Sequence, residues 1–295
     1  MLAFWGARDC TEEQLAAETY KPELKGALNT DLAAAAARRA MVVRSGPSDM
    51  RELREAVSDG YPAVVLIALS PHILGRKHYV TVKGVDAAEG YLLADYGVRP
   101  DVVLRPGPFP RDWRSAGSWA LYCWPAERAP AWASAAEDLR AGVLLEAAGR
   151  TSPATEAYRR AAGKDPGLWE AHFNLGNLAL AGGRGTEAAS CYRRALAIRP
   201  DEPDVLNNLA WTLLESRTGP EEAEDLARRA LEKSAPETAA AAHAAHTLGS
   251  VLAWRGKAAE ARAALERAVR EAKAAGDSAT ATEAAKALEA LSAGK

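Results

Sequence analysis

Cysteine is scarce in this chain: three residues in 295, Cys10, Cys123 and Cys191, far apart and never in C-x-x-C spacing. An odd, scattered set argues against a disulfide framework or a cysteine-based zinc site. Long apolar runs are missing too, and no stretch approaches the roughly 18 residues that a membrane helix needs. No basic segment followed by an apolar core and a cleavage site is present, so no export address is legible and the compartment stays open. Neither sign of charge dominates. Lys and Arg number 37 against 39 Asp and Glu, a net charge of -2 that gives no field for nucleic acid or an anionic membrane. No motif asks for a cofactor. His243 and His246 stand one turn apart on an Ala-rich segment. With no third ligand they read as helix-surface residues, not as a metal site.

What the chain does have changes near Pro130. Before it, Val, Tyr, Trp and Pro mix with short apolar runs; after it, Ala, Leu, Glu and Arg recur at helical spacing. The second part repeats itself. Gly142 and Gly176, Ala154 and Ala188, Tyr158 and Tyr192, Ala161 and Ala195, and Pro166 and Pro200 are each 34 residues apart. Small residues at Gly176 and Ala188 let two helices cross closely, Tyr192 and Leu196 fill the space beyond, and Pro200 ends the second helix by withholding an N–H. A third copy has Leu209-Ala210, Ala223, Ala227 and Ala230; a fourth has Leu248-Gly249, Gly256, Ala261, Leu265 and Ala268. This 34-residue pattern resembles the tetratricopeptide repeat (TPR), most closely in Asn174-Leu175-Gly176-Asn177 with Ala188, Tyr192, Ala195 and Pro200.

The resemblance implies an all-α TPR solenoid with a concave groove that takes a peptide or protein partner. The expected organisation is an N-terminal domain over 1–127, a linker over 128–134 and four repeats over 135–168, 169–202, 203–241 and 242–275. A capping helix over 277–295 closes the last apolar face. Asn174, Asn177, Asn207 and Asn208 are the candidate partner-binding residues, unless they only bond neighbouring backbone between helices.

The N-terminal part reads as helices first and strands afterwards. Helices are expected over Thr11–Thr19, opened by a Thr11/Gln14 capping box, over Asn29–Arg39, capped by Asn29 or Thr30, and over Asp49–Ser58, started by Ser48. Strands are expected at Met41–Arg44, Ala63–Leu69, His78–Val85, Tyr91–Tyr96, Asp101–Leu104 and Trp119–Trp124, with a turn at Ala87–Gly90. That order is α+β. Cys10 sits in a loop feeding the first N-cap, a structural place and not a nucleophile's.

Four segments resemble landmarks of the C39 family of cysteine peptidases and its C39-like relatives. Met1-Leu2-Ala3-Phe4-Trp5-Gly6 is like the end of the family's apolar helix. Lys21-Pro22-Glu23-Leu24-Lys25-Gly26-Ala27-Leu28 is like its turn into the next helix. Gly60-Tyr61-Pro62-Ala63-Val64-Val65 is like its Gly-x-Pro-Val strand. His78-Tyr79-Val80-Thr81-Val82-Lys83-Gly84-Val85-Asp86 is like its histidine strand. The resemblance implies a papain-like fold, with His78 as catalytic base and Asp95, closing the next strand, as the acid that orients it. The family's nucleophilic Cys and oxyanion Gln have no counterpart here, and the resemblance puts them upstream of Met1. As written, the chain is expected not to hydrolyse peptides by this mechanism. Two readings follow: a C39-like peptidase domain whose repeats recruit substrate or partner, or a non-catalytic scaffold whose domains only bind.

Overall fold

The computed structural model describes residues 1–7, 10–24, 26–68, 77–86, 88–97 and 99–293. Lys25, Leu69, Ala87, Gly294 and Lys295, which enter the expectations above, lie outside them. The chain divides into two units, Met1–Ala154 and Thr155–Lys295.

The first unit is α+β. Helix α1 (Glu12–Thr19) is followed by the short strands β1 (Tyr20–Lys21) and β2 (Gly26–Ala27), helix α2 (Asn29–Ala37) and strand β3 (Met41–Pro47). Helix α3 (Met50–Ser58), strands β4 (Ala63–Ala68), β5 (Lys77–Val85), β6 (Leu92–Tyr96) and β7 (Arg99–Leu104), helix α4 (Pro108–Ser115) and strand β8 (Trp119–Pro125) complete the sheet. Its six strands run in the order β3-β8-β4-β5-β6-β7, each neighbouring pair antiparallel. β8 lies inside the sheet, and its residues Trp119 to Trp124 are all buried. Such a run is explained by cover on both faces. Leu121 and Cys123 face Val43, Val64 and Tyr79, with the α2 residues Leu32 and Ala36 and the N-terminal Met1 and Leu2 packed against them. Tyr122 and Trp124 occupy the opposite face, packing on Tyr61 and Trp132.

Local chemistry decided several boundaries. Thr11 and Gln14 form the capping box expected of α1. α2 departs from expectation: Leu28 is its N-cap, with no side-chain cap, and Asn29 Oδ1 instead accepts from the Tyr79 hydroxyl at 2.7 Å. α3 is capped by Asp49, which accepts from the Glu52 N–H; Ser48, the residue expected there, donates to the Glu52 carboxylate. α4 was not expected, because two prolines open it. Pro108 and Pro110 stand in the first turn, where a missing N–H costs nothing. Trp113 then anchors the helix by donating its indole N–H to the Trp119 carbonyl.

Helix α5 (Ala135–Ala147) falls within the first unit, and α6 (Thr151–Lys164) begins there and ends in the second. The second unit continues as antiparallel helix pairs: α7 (Trp169–Ala181) with α8 (Gly185–Ile198), α9 (Pro203–Glu215) with α10 (Pro220–Lys233), and α11 (Ala239–Trp254) with α12 (Ala258–Ala275). Helix α13 (Ser278–Ala293) packs on α12 and α11. The crossings are as tight as the sequence suggests. A Cβ on Gly176 would stand 2.5 Å from the Tyr192 ring, and one on Gly249 2.6 Å from Leu265. Ala188, Ala195, Ala210, Ala227, Ala230, Ala261 and Ala268 are completely buried in one continuous core.

Candidate functional sites

The pair that the sequence singles out is set by strand register. On β5, His78 pairs with Ile67 of β4, and Thr81 pairs with Asp95 of β6. Directly paired residues share a face, and faces alternate along a strand. His78 therefore lies on the face of Val80 and Val82, whereas Asp95 lies on the other face with Thr81. The side chains bear this out. The His78 ring stacks on Tyr96, centroids 4.7 Å apart. Its Nε2 is shielded and has no hydrogen-bond partner among the described residues. Asp95 is engaged elsewhere: Lys83 Nζ lies 2.6 Å from its carboxylate, and the Asp101 N–H donates to it at 3.2 Å. The hydrogen bond from Lys83 holds the Asp95 carboxyl below the usual carboxylate range. The same Lys83 also pairs with Asp101 at 2.9 Å. His78 and Asp95 are thus not brought together as a base and its orienting acid.

The cysteines supply no nucleophile to complete them. Burial pushes the Cys123 thiol up to about 12, so it stays protonated at neutral pH. The Cys10 thiol donates to the Ala7 carbonyl at 3.0 Å, and burial raises Cys191.

In the repeats, two of the four candidate asparagines are brought together, and mostly with each other. Tyr192 Oη donates to Asn177 Oδ1 at 2.8 Å, and Asn208 Nδ2 donates to the same oxygen at 3.0 Å. This ladder joins α7, α8 and α9. Asn207 Nδ2 reaches Asn208 Oδ1 only at 3.4 Å, and Asn174 is half-buried on α7. His243 meets the Asp277 carboxylate at 3.1 Å, and the His246 ring packs tilted against Trp211, 5.9 Å between centroids.

A site that sequence reasoning missed lies farther along the same helices. Trp211 and Leu214 on α9, Trp254 on α11 and Leu291 on α13 line an open groove of about 750 Å³, with Glu215 and Arg217 as its charged members. Both tryptophans are only half-buried. The Arg217 guanidinium lies over the Trp254 ring, 5.5 Å from its centroid. A signal was present in the sequence: Arg217 stands 34 residues after Gly183 and 68 after Gly149, in a slot the other repeats give to glycine.

Models of the tetratricopeptide repeat family match residues 139–203 and 241–275. The chain contains tetratricopeptide repeats, and both matches lie outside the stretch that resembles a C39 peptidase. No curated protein matches the chain. Among solved structures, MamA is 19% identical over 52% of this chain and 92% of its own, with a TM-score of 0.40. Pseudomonas aeruginosa PilF is 20% identical over 55% of this chain and 78% of its own, TM-score 0.41. YrrB, described as a TPR protein with an unusual peptide-binding site, is 20% identical over 54% of this chain and 86% of its own, TM-score 0.41.

Proposed function

We propose that this chain is a non-catalytic binding protein whose tetratricopeptide repeats hold a peptide or a protein segment. One observation carries the reading: large apolar side chains from α9, α11 and α13, Trp211, Trp254 and Leu291, are left only half-buried around one groove. Leaving such groups in water is unfavourable in a free protein, and rigid aromatic residues at a concave surface are the usual anchors of recognition. The Asn177–Asn208–Tyr192 ladder supports this division of labour, because its groups are spent on helix-to-helix bonds. A C39-like peptidase reading of residues 1–127 finds less support. Its base and acid face opposite sides of the sheet, and its acid is already held by Lys83.

The test is a selection from a phage-displayed random dodecapeptide library by the full chain. Enriched, competable peptides are expected, with enrichment lost in a Trp211→Ala/Trp254→Ala variant whose circular dichroism is unchanged. A selection that enriches nothing over blank resin sinks the proposal.

A further inference from the structure

The residues around this groove also indicate what it takes. Resting on the binding reading above, we propose that the Trp211–Trp254 groove recognises a peptide carrying a bulky apolar side chain next to a single carboxylate, with Arg217 receiving the carboxylate.

Arg217 is an outlier among the repeats. Each first helix ends with the same pair of backbone bonds: Gly149, Gly183, Arg217 and Gly256 each donate to the carbonyl three residues back, and the following residue donates to the carbonyl five back. The position needs a positive φ, which is 71° at Gly149 and Gly183 and 75° at Gly256. Glycine takes that conformation freely; a residue with a Cβ does so under strain. Arg217 takes it at φ 52°. Strained backbone retained beside a groove points from the outlier to a role for the side chain.

That side chain is placed for recognition. Its guanidinium lies over the Trp254 ring, a contact that holds the fork without consuming its donors. Neighbouring guanidinium groups in the repeats are committed to carboxylates: Arg193 to Glu222, Arg228 to Glu224 and Glu260, and Arg255 to Glu221 and Glu224. Arg217 makes no ion pair among the described residues, so its donors remain available to a ligand. A carboxylate is the group a guanidinium fork matches in two parallel hydrogen bonds. The apolar half of the ligand follows from the lining of Trp211, Leu214, Trp254 and Leu291. Glu215, the other charged residue lining the groove, repels a second acidic group. One carboxylate beside an apolar side chain therefore fits better than a polyacidic tract.

The experiment uses a peptide recovered by the library selection, resynthesised with a fluorescein label in Asp and Asn versions and titrated by anisotropy. On the wild-type chain the Asp→Asn change is expected to weaken binding about ten-fold, the scale of one charge-assisted hydrogen bond. On Arg217→Gly it is expected to change nothing. Gly is the residue the other repeats carry at this place, so the variant keeps its fold and its melting temperature does not fall. If Arg217 only props up Trp254, its loss weakens the Asp and Asn peptides equally, and the proposal is overturned. Selection of neutral or basic peptides overturns it as well and leaves the binding function standing. A library that yields no peptide removes both.

Discussion

Arg44 on β3 grips Glu137 on α5 across 93 residues of sequence, with Nε and Nη2 donating to the two carboxylate oxygens at 2.6 and 2.5 Å. Its remaining donors reach Glu52 at 2.7 Å and the Trp132 carbonyl, and its guanidinium lies 4.8 Å from the Trp132 ring centroid. Burial pushes Glu137 up, but the bonds from Arg44 and Ser134 outweigh it and leave the carboxyl below its usual range. A charge held this way is costly to orphan. Arg44→Met is expected to destabilise the first unit by about 2 kcal/mol, because Glu137 stays buried without its partner. The sign with pH follows. Since the folded pKa is depressed, the contribution is full above the unfolded carboxyl pKa, starts to fade as pH drops below it and is lost as pH falls through the depressed folded value. Urea midpoints at pH 7 and pH 4 check both parts: the gap between wild type and variant should narrow in acid, and an equal gap at both values contradicts the assignment.

The helix crossings predict a penalty for the smallest possible insertion. Gly176→Ala gains helix propensity of about 1 kcal/mol, yet its methyl lands on the buried Tyr192 ring. Overpacking costs about 1–3 kcal/mol, so the net effect is expected to be destabilising. A midpoint in urea at or above the wild-type value shows that the ring can move aside.

His246 carries a pH dependence of its own. Burial lowers its pKa; Glu283 opposes the shift and His243 adds to it, while Trp211 packs tilted against the ring. A histidine with a lowered folded pKa takes up its proton more readily in the unfolded chain. Stability is therefore full above about pH 6.5, the unfolded value, and is lost as pH falls below it. His246→Phe keeps an aromatic ring beside Trp211 and removes the proton. Between pH 7.5 and 5.5 the variant's melting temperature should fall less than that of the wild type; parallel curves disprove the linkage.

Opposite faces for His78 and Asp95 predict no peptidase chemistry from this pair. Incubation with fluorogenic casein and peptide libraries under reducing conditions is expected to yield no thiol-sensitive hydrolysis, and none that responds to His78→Ala. Cleavage by the purified chain that His78→Ala or Asp95→Asn abolishes would restore the triad reading.

Much of the repeat architecture was legible because its information is local. A 34-residue period, glycine and alanine at the crossings and a proline after the first three second helices (Pro166, Pro200 and Pro236) specify neighbour-to-neighbour packing, and Gly176 against Tyr192 shows that packing closely. The N-terminal unit was legible only as an order of helices and strands. Capping moved between adjacent residues, from Ser48 to Asp49 and from Asn29 to Leu28, because each side chain had a competing partner. α4 stayed hidden behind its prolines.

Sequence by itself determined the α+β order, the repeating helix pairs and the small residues at their crossings, since these depend on periodicity and steric size within short stretches. Tertiary structure alone decided where the chemistry lies. Whether His78 and Asp95 share a face depends on the β5–β6 register and its bulge between Val82 and Gly84, and a one-residue slip reverses the answer. The groove exists only where α9, α11 and α13 bring Trp211, Trp254 and Leu291 together from 80 residues of chain, a proximity that no local pattern encodes.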